Sequence, residues 1–209
     1  MTHSVGFATP APFADTNQEI DDALLDRNQT AKFQKALGCI GWLVSCIRLD
    51  LGYAYSRIAQ DMSKPNKSSW DRLIHTIKYI KGTSTLAGFI PCKSNGEKPE
   101  WKCYCDSDQS SDRSARNQGK CRYGSIVTVH GFPVHYKTQT TSVAMAQPSM
   151  GTDGNVCTSS TEAEIYGCSN ATTHVMHVSY IAEELGHDFP KPFVMWMDNA
   201  AAEVFCNNT

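Results

Sequence analysis

Apolar positions recur at helical intervals from residue 30 to about residue 90, and beyond residue 100 they alternate with polar ones. In the first stretch Phe33, Leu37, Ile40, Leu43 and Val44 step by three and four, as on one face of an α-helix. A second run places Tyr53, Ala54, Ile58 and Met62 together, with Asp50 as the expected N-cap and Pro65 as the stop. A third gathers Trp70, Leu73, Ile74, Ile77 and Ile80, with Ser68 or Ser69 as the cap and Gly82 as the stop. Residues 30–90 are therefore expected to form a small α-helical module. Residues 1–29 contain Gly6, Pro10, Pro12 and the acidic Glu19, Asp21, Asp22 and Asp26 without any period, the pattern of an extended lead-in ordered only by docking.

Residues 91–100 combine Pro, Gly, Ser and Asn with charge and predict a linker. Over residues 101–106 the alternation puts Trp101, Cys103 and Cys105 on one face and Lys102, Tyr104 and Asp106 on the other. A basic loop with Arg113, Arg116, Lys120 and Arg122 follows. Residues 123–129 are rich in β-formers, Gly131 marks a turn and residues 134–137 return, which predicts an antiparallel three-strand meander. Residues 140–156 show no clear period and are expected to be a long loop. A helix is predicted over 161–185, with Ile165, Cys168, Ala171, Val175, Val178, Ala182 and Leu185 in one stripe and Gly186 as its stop. Residues 193–197 are nearly all apolar, as in a strand buried on both faces, and Asp198 opens another helix. The order strand-strand-strand-helix-strand-helix predicts an α/β domain over residues 101–209: a mixed sheet with helices packed on it, preceded by the helical module.

A net charge of -2 supplies no global attraction to nucleic acid, so such a partner would have to be met by local patches. One candidate patch is Lys64, Lys67, Arg72, Lys78 and Lys81 against the single acid Asp71, readable as a solvated helix face or as a phosphate contact. Nine cysteines without a C-x-x-C pair read as free thiols in a reducing compartment, cytoplasmic or nuclear, with Cys39, Cys46, Cys168 and Cys206 expected to pack in apolar surroundings. His174 and His177 lie three apart with no further ligand nearby in sequence, and read as a surface or half-buried pair. No basic-then-apolar leader opens the chain, and no apolar run approaches the ~20 residues that span a bilayer, so the expectation is a soluble intracellular chain with no membrane partner.

The remaining chemistry is acidic. Asp106 ends one predicted strand, Asp198 ends another, and Glu162 and Glu164 lie in the first turn of the long helix. Each has a structural explanation. Ser159 with Glu162 and Thr161 with Glu164 both fit a capping box, Asp198 fits a helix N-cap, and Asp106, Asp108 and Asp112 could solvate a loop. An aspartate closing a buried strand nevertheless costs several kcal/mol, by rough estimate, unless a cation or donors offset it. Carboxylates without His or Cys favour a hard cation such as Mg²⁺ or Mn²⁺, and two such ions ~3.5–4 Å apart support phosphodiester cleavage. Sequence spacing alone leaves convergence of the three groups open.

The residues Tyr104-Cys-Asp-Ser-Asp-Gln-Ser-Ser-Asp112, Ser159-Ser-Thr-Glu-Ala-Glu164 and Met197-Asp-Asn-Ala-Ala201 resemble, in order, the three acidic motifs of the ribonuclease H domain of copia-type LTR retrotransposon polyproteins. The helical stretches Phe33 to Trp42, Arg48 to Arg57 and Ser69 to Thr83 resemble the segment after the polymerase core of those polyproteins, so the likeness runs over residues 30–205. The resemblance implies a ribonuclease H-like mixed sheet, with Asp106, Glu164 and Asp198 as catalytic ligands of two Mg²⁺ or Mn²⁺ ions and Glu162 as a capping residue. It implies cleavage of the RNA strand of an RNA–DNA hybrid as part of a retrotransposon reverse transcriptase, with the remainder of the polyprotein as a further partner. Arg113, Arg116, Lys120 and Arg122, with Lys78 and Lys81, are then the expected phosphate contacts. Gln109 stands where the family has tryptophan, Leu49 where it has proline, and the stretch from Gln139 to Cys157 is longer than usual. The family's Tyr-x-Asp-Asp polymerase motif does not occur, and its fourth acid and last strand would fall beyond Thr209. The alternative expectation is therefore a catalytically incomplete, vestigial nucleic-acid-binding module of the same fold.

Overall fold

The computed structural model describes residues 9–11, 23–86, 88, 98–108, 120–144 and 159–207. They fall into two compact units, Met1–Gly88 and Phe89–Thr209.

The first unit is helical: α1 (Arg27–Cys46), α2 (Gly52–Ala59) and α3 (Lys67–Gly82), with a short 3-10 turn at Leu49–Leu51. Helix α1 starts at Arg27, ahead of the expected residue 30, because Asp26 and Gln29 close a capping box: Gln29 N–H donates to Asp26 at 2.7 Å and Asp26 N–H to Gln29 at 3.3 Å. Its Phe33, Leu37 and Ile40 meet Leu51, Ile58, Leu73 and Tyr79 in one core. Two expected caps are corrected. The N-cap of α3 is Asn66, which accepts from the Ser69 N–H at 2.8 Å, so Ser69 is the third helical residue and answers the box with its hydroxyl. Asp50 caps nothing. The 3-10 turn directs its carboxylate to Arg48, whose Nε and Nη2 both bond it at 2.9 Å, and Tyr79 Oη donates to it at 3.0 Å. Arg48 also reaches the Thr83 carbonyl and hydroxyl, tying the turn to the end of α3. That network draws Tyr79 inside, and Thr76 is covered by the amino-terminal segment, its hydroxyl donating to the Pro10 carbonyl at 3.0 Å. The buried face of α3 is rotated accordingly and leaves Ile77 exposed, while Tyr53 and Met62 are also exposed.

The second unit is a four-stranded sheet in the order β3-β2-β1-β4, made of β1 (Trp101–Asp108), β2 (Lys120–Val129), β3 (Phe132–Ala144) and β4 (Met195–Trp196). β1, β2 and β3 form the expected antiparallel meander, and β4 runs parallel to β1. The β2–β3 connection is two residues, His130 and Gly131, both with positive φ, the conformation that matches a tight hairpin to strand twist. Helix α4 (Ser160–Glu184) lies on β1 and β2, where Val175 and Ala182 meet Cys103, Val127 and Phe189. Helix α5 (Ala200–Asn207) follows β4. This is a ribonuclease H-like α/β arrangement, preceded by a small helical module.

Three expectations for this unit change. β3 extends to Ala144, so residues 140–144 pair with β2 instead of beginning a loop; residues 145–158 lie outside the described residues. The stretch 193–197 is not a strand buried on both faces. Only Met195–Trp196 pairs, with β1 on one side, so alternation turns Met195 inward while Val194 and Trp196 are exposed. The buried stripe of α4 is made of small residues, Ala163, Gly167, Ala171, Ser179 and Ala182, together with Val175 and Glu164, whereas Leu185 is 71% exposed. Small residues let the helix ride low on the sheet. A Cβ on Gly167 would sit 3.2 Å from the Ser107 Cβ and 3.5 Å from the Tyr123 Cβ, so α4 passes close to β1 and β2 here. As expected, Gly186, at φ +79°, ends the helix.

Candidate metal centre

Three elements deliver one carboxylate each to the end of the sheet. Asp106 lies near the end of β1, opposite Gly124 of β2. Asp198 follows β4, and because Tyr104 pairs with Trp196 in parallel register, each aspartate stands two residues beyond the last position of the β1–β4 pairing. Glu164 comes from the first turns of α4, one turn before the glycine that allows close approach to β1. One carboxylate oxygen from each residue lies within 4.8 Å of the other two.

The capping explanations for Glu164 and Asp198 fall away. The N-cap of α4 is Ser159, whose hydroxyl accepts from the Glu162 N–H at 3.1 Å, which leaves Glu164 outside the cap. The N-terminus of α5 is capped by Asn199, whose Oδ1 accepts from the Ala202 N–H at 3.0 Å, and not by Asp198. Glu164 is only 5% exposed. Its Oε1 accepts from the Ser107 N–H at 3.3 Å, and its Oε2 is buried without a hydrogen-bond partner. Burial first, then the charges of Asp106 and Asp198, push its carboxyl up to about 7, against a partial offset from the Ser107 hydrogen bond. An all-oxygen donor set with one orphaned buried lone pair fits a hard divalent cation, which would relieve both the desolvation and the mutual repulsion.

The expected phosphate contacts divide. Arg113 and Arg116 lie outside the described residues, as does the side chain of Lys120. Arg122 is 8% exposed and stands across from Asp108 in the β1–β2 ladder, so it belongs to the fold of the sheet and not to an open basic surface. In the helical unit Lys78 and Lys81 are exposed, while Lys67 faces Asp71 at 3.3 Å and Arg72 faces Asp61 at 3.8 Å.

Two features were not anticipated. The thiols of Cys105, Cys168 and Cys206, from β1, α4 and α5, act on one another's protonation, Cys168 with each of the other two. Cys105 holds the Cys168 thiol below its ordinary range, at about 6, and is itself raised. Of the cysteines expected to pack, Cys39, Cys46 and Cys206 are exposed, and only Cys168 is half-buried. The second feature is at the β3–α4 seam, where His135 stacks on His174 with ring centroids 5.4 Å apart and its Nε2 buried without a hydrogen-bond partner. His174 is half-buried and His177 exposed, as the sequence implied. No signal at the level of spacing joins Cys105 to Cys168 or His135 to His174; each pair depends on the register between helix and sheet.

Among curated proteins, the chain is 26% identical over 173 residues to the Retrovirus-related Pol polyprotein from transposon RE2 of Arabidopsis thaliana, a match that covers 82% of this chain and 11% of the relative. It is 25% identical over 173 residues to the corresponding RE1 polyprotein of the same plant, again 82% of this chain and 11% of that protein. The Transposon Ty1-JR2 Gag-Pol polyprotein of Saccharomyces cerevisiae is 28% identical over 154 residues, 74% of this chain and 8% of the relative. The chain thus spans about a tenth of the length of the curated relatives it matches. No family model matches, and no solved structure does. These matches establish distant homology to copia- and Ty1-type retrotransposon polyproteins. Among the described residues no helix is long and apolar enough to cross a membrane.

Proposed function

We propose that this chain carries a metal-dependent ribonuclease H-type activity, cleaving the RNA strand of an RNA–DNA hybrid as part of a retrotransposon reverse transcriptase polyprotein. The observation that carries the reading is the buried Glu164, with an unpartnered oxygen, held within 4.8 Å of Asp106 and Asp198 at one end of the sheet. Asp106, Glu164 and Asp198 would hold two Mg²⁺ or Mn²⁺ ions, and such a pair, when bound, activates a water and stabilises the leaving oxygen in phosphodiester hydrolysis. The chain's own contribution is placement. The Ser107 N–H holds one Glu164 oxygen and leaves the other without a hydrogen-bond partner, and the Asn199 cap leaves Asp198 free of the helix cap.

Recognition of the hybrid would be electrostatic. Arg113, Arg116 and Lys120 follow Asp106 in sequence and are the proposed phosphate contacts; Lys78 and Lys81 are candidates on α3. The ribose 2′-hydroxyls mark the strand to be cut. Binding of a hybrid should weaken as salt rises, with a slope set by the number of phosphates neutralised.

The test is cleavage of an end-labelled RNA–DNA hybrid in Mg²⁺ or Mn²⁺ by the parent chain and by Asp106→Asn. The parent should cut the RNA strand, and the variant should lose cleavage while keeping its circular dichroism spectrum. Hybrid binding by the parent without cleavage in either ion would assign the chain to the binding-module reading, and cleavage undiminished in the variant would remove Asp106 from the centre.

A further inference from the structure

Along α4, His174 has His177 three residues on and no other ligand nearby in sequence. The fold supplies one from the sheet. His135 of β3 lies against His174, with ring centroids 5.4 Å apart and planes tilted by 33°. β3 is the edge strand and α4 lies over β1 and β2, so the ring pair sits at the margin of the helix–sheet contact. His135 Nε2 is buried and has no hydrogen-bond partner. A neutral imidazole offers one N–H and one lone pair, so a buried nitrogen without a partner leaves a donor or a ligand unused. Packing of ring on ring makes no use of it.

We propose that His135 and His174 form a second cation site, a two-imidazole clip that ties β3 to α4 through a borderline divalent ion of the zinc, nickel and copper class. Two imidazoles on one tetrahedral ion, with metal–nitrogen bonds of about 2.0–2.1 Å, have ring centres about 5 Å apart. The separation already present is close to that. Ligation needs both rings neutral. Burial first, and then His174, His177 and Lys137, hold His135 below its ordinary value; burial, then Lys137 and His177, do the same to His174. Imidazole selects zinc, nickel and copper, whereas carboxylates select magnesium and manganese, so the two centres divide by ligand chemistry. Among the described residues only Asp106, Glu164 and Asp198 bring three ligand atoms together. The clip therefore holds its ion by two protein nitrogens and leaves the other positions to water. The ion enters past His174, the half-buried ring, which turns one nitrogen toward it. Neither histidine belongs to the carboxylate centre, and the clip does not depend on the nuclease reading.

The experiment titrates the full chain with Ni²⁺ under excess Mg²⁺, which occupies the carboxylates. Nickel is the probe because it favours imidazole over thiolate. The urea midpoint should rise with Ni²⁺ concentration, and amide exchange should slow in residues 132–137 and 171–178. Removing either imidazole, by His174→Ala or by His135→Phe, should weaken Ni²⁺ binding at least about tenfold, since even a lost supporting partner costs that much. Asp106→Asn should keep the parent response. Circular dichroism without the ion reports whether each variant is folded, and His174→Ala alone decides if His135→Phe is not. Equal Ni²⁺ binding by the parent and His174→Ala would overturn the proposal. So would a parent whose midpoint Ni²⁺ leaves unchanged, or a response lost in Asp106→Asn.

Discussion

Glu164 shows at the scale of one residue how a candidate site opposes the stability of its own fold. A carboxyl whose value rises from 4.5 to about 7 on folding is bound to its proton more firmly in the native state. Folding stability therefore falls as pH climbs from 4.5 through 7, and the full penalty is present above 7, where the folded residue must ionise. That range corresponds to at most about 3 kcal/mol. Glu164→Gln keeps the shape and removes the charge. The metal-free variant should be more stable than the parent by about 1–3 kcal/mol near pH 8, with the gain disappearing toward pH 4.5. Urea melts at the two pH values measure this directly. A variant no more stable than the parent at the higher pH would mean that the repulsion is not felt.

At the scale of elements, the contact between α4 and β1 sets the geometry of the acids. Gly167→Ala gains about 1 kcal/mol of helix propensity but places a methyl 3.2 Å from the Ser107 Cβ, where overpacking costs about 1–3 kcal/mol. The net change in stability is small, yet α4 must lift from β1, so Mn²⁺ should bind about tenfold more weakly, as titration calorimetry would show. Along the same helix, His135 and Lys137 of β3 face His174 and His177 of α4. Burial first, and then the neighbouring cationic groups, hold His135 below its ordinary 6.5; burial and Lys137 do the same to His174. Stability from this seam is complete above that value and is lost as pH falls below it, because the unfolded chain takes up protons that the fold resists. In Glu164→Gln, where the opposing titration of that carboxyl is absent, the urea midpoint should drop between about pH 7.5 and about pH 5.5, and drop less when His135→Phe is added. These contacts also mark how far the sequence could be read. Strand alternation and helix period predicted the meander and the long helix, because side-chain period follows from backbone geometry, whereas the choice of Asp106, Glu164 and Asp198 rested on the resemblance to the ribonuclease H motifs. Caps were read less well. Asp50, Ser69 and Asp198 each fit a cap pattern, but Arg48, Asn66 and Asn199 decided the outcome through contacts that local spacing does not encode. Apolarity at 193–197 could not tell an edge strand from a central one, since the difference lies in which strands flank it.

At the scale of the whole chain, two units with separate cores imply two responses to a divalent cation. The core of the first is built on Phe33, Leu37, Ile58 and Leu73 and closed by the Arg48–Asp50–Tyr79 network, and the three carboxylates all belong to the second. Burial raises the Asp50 carboxyl, but the bonds from Arg48 and Tyr79 outweigh it and keep the group below its usual range, so Asp50 stays ionised near neutrality. It is also already paired with a fixed cation, which leaves it a poor ligand. A ligand that binds only the native second unit stabilises that unit by about 2.7 kcal/mol at a hundred times its dissociation constant, and leaves an independently unfolding unit unmoved. Hydrogen exchange followed with and without Mn²⁺ should therefore slow in β1, α4 and α5 and stay unchanged in α1 and α3. In Asp106→Asn the slowing should vanish while the pattern in α1 and α3 remains that of the parent. Equal protection of both units by the ion would show that the cation acts elsewhere or that the two cores unfold together, and it would detach the cation response from Asp106, Glu164 and Asp198.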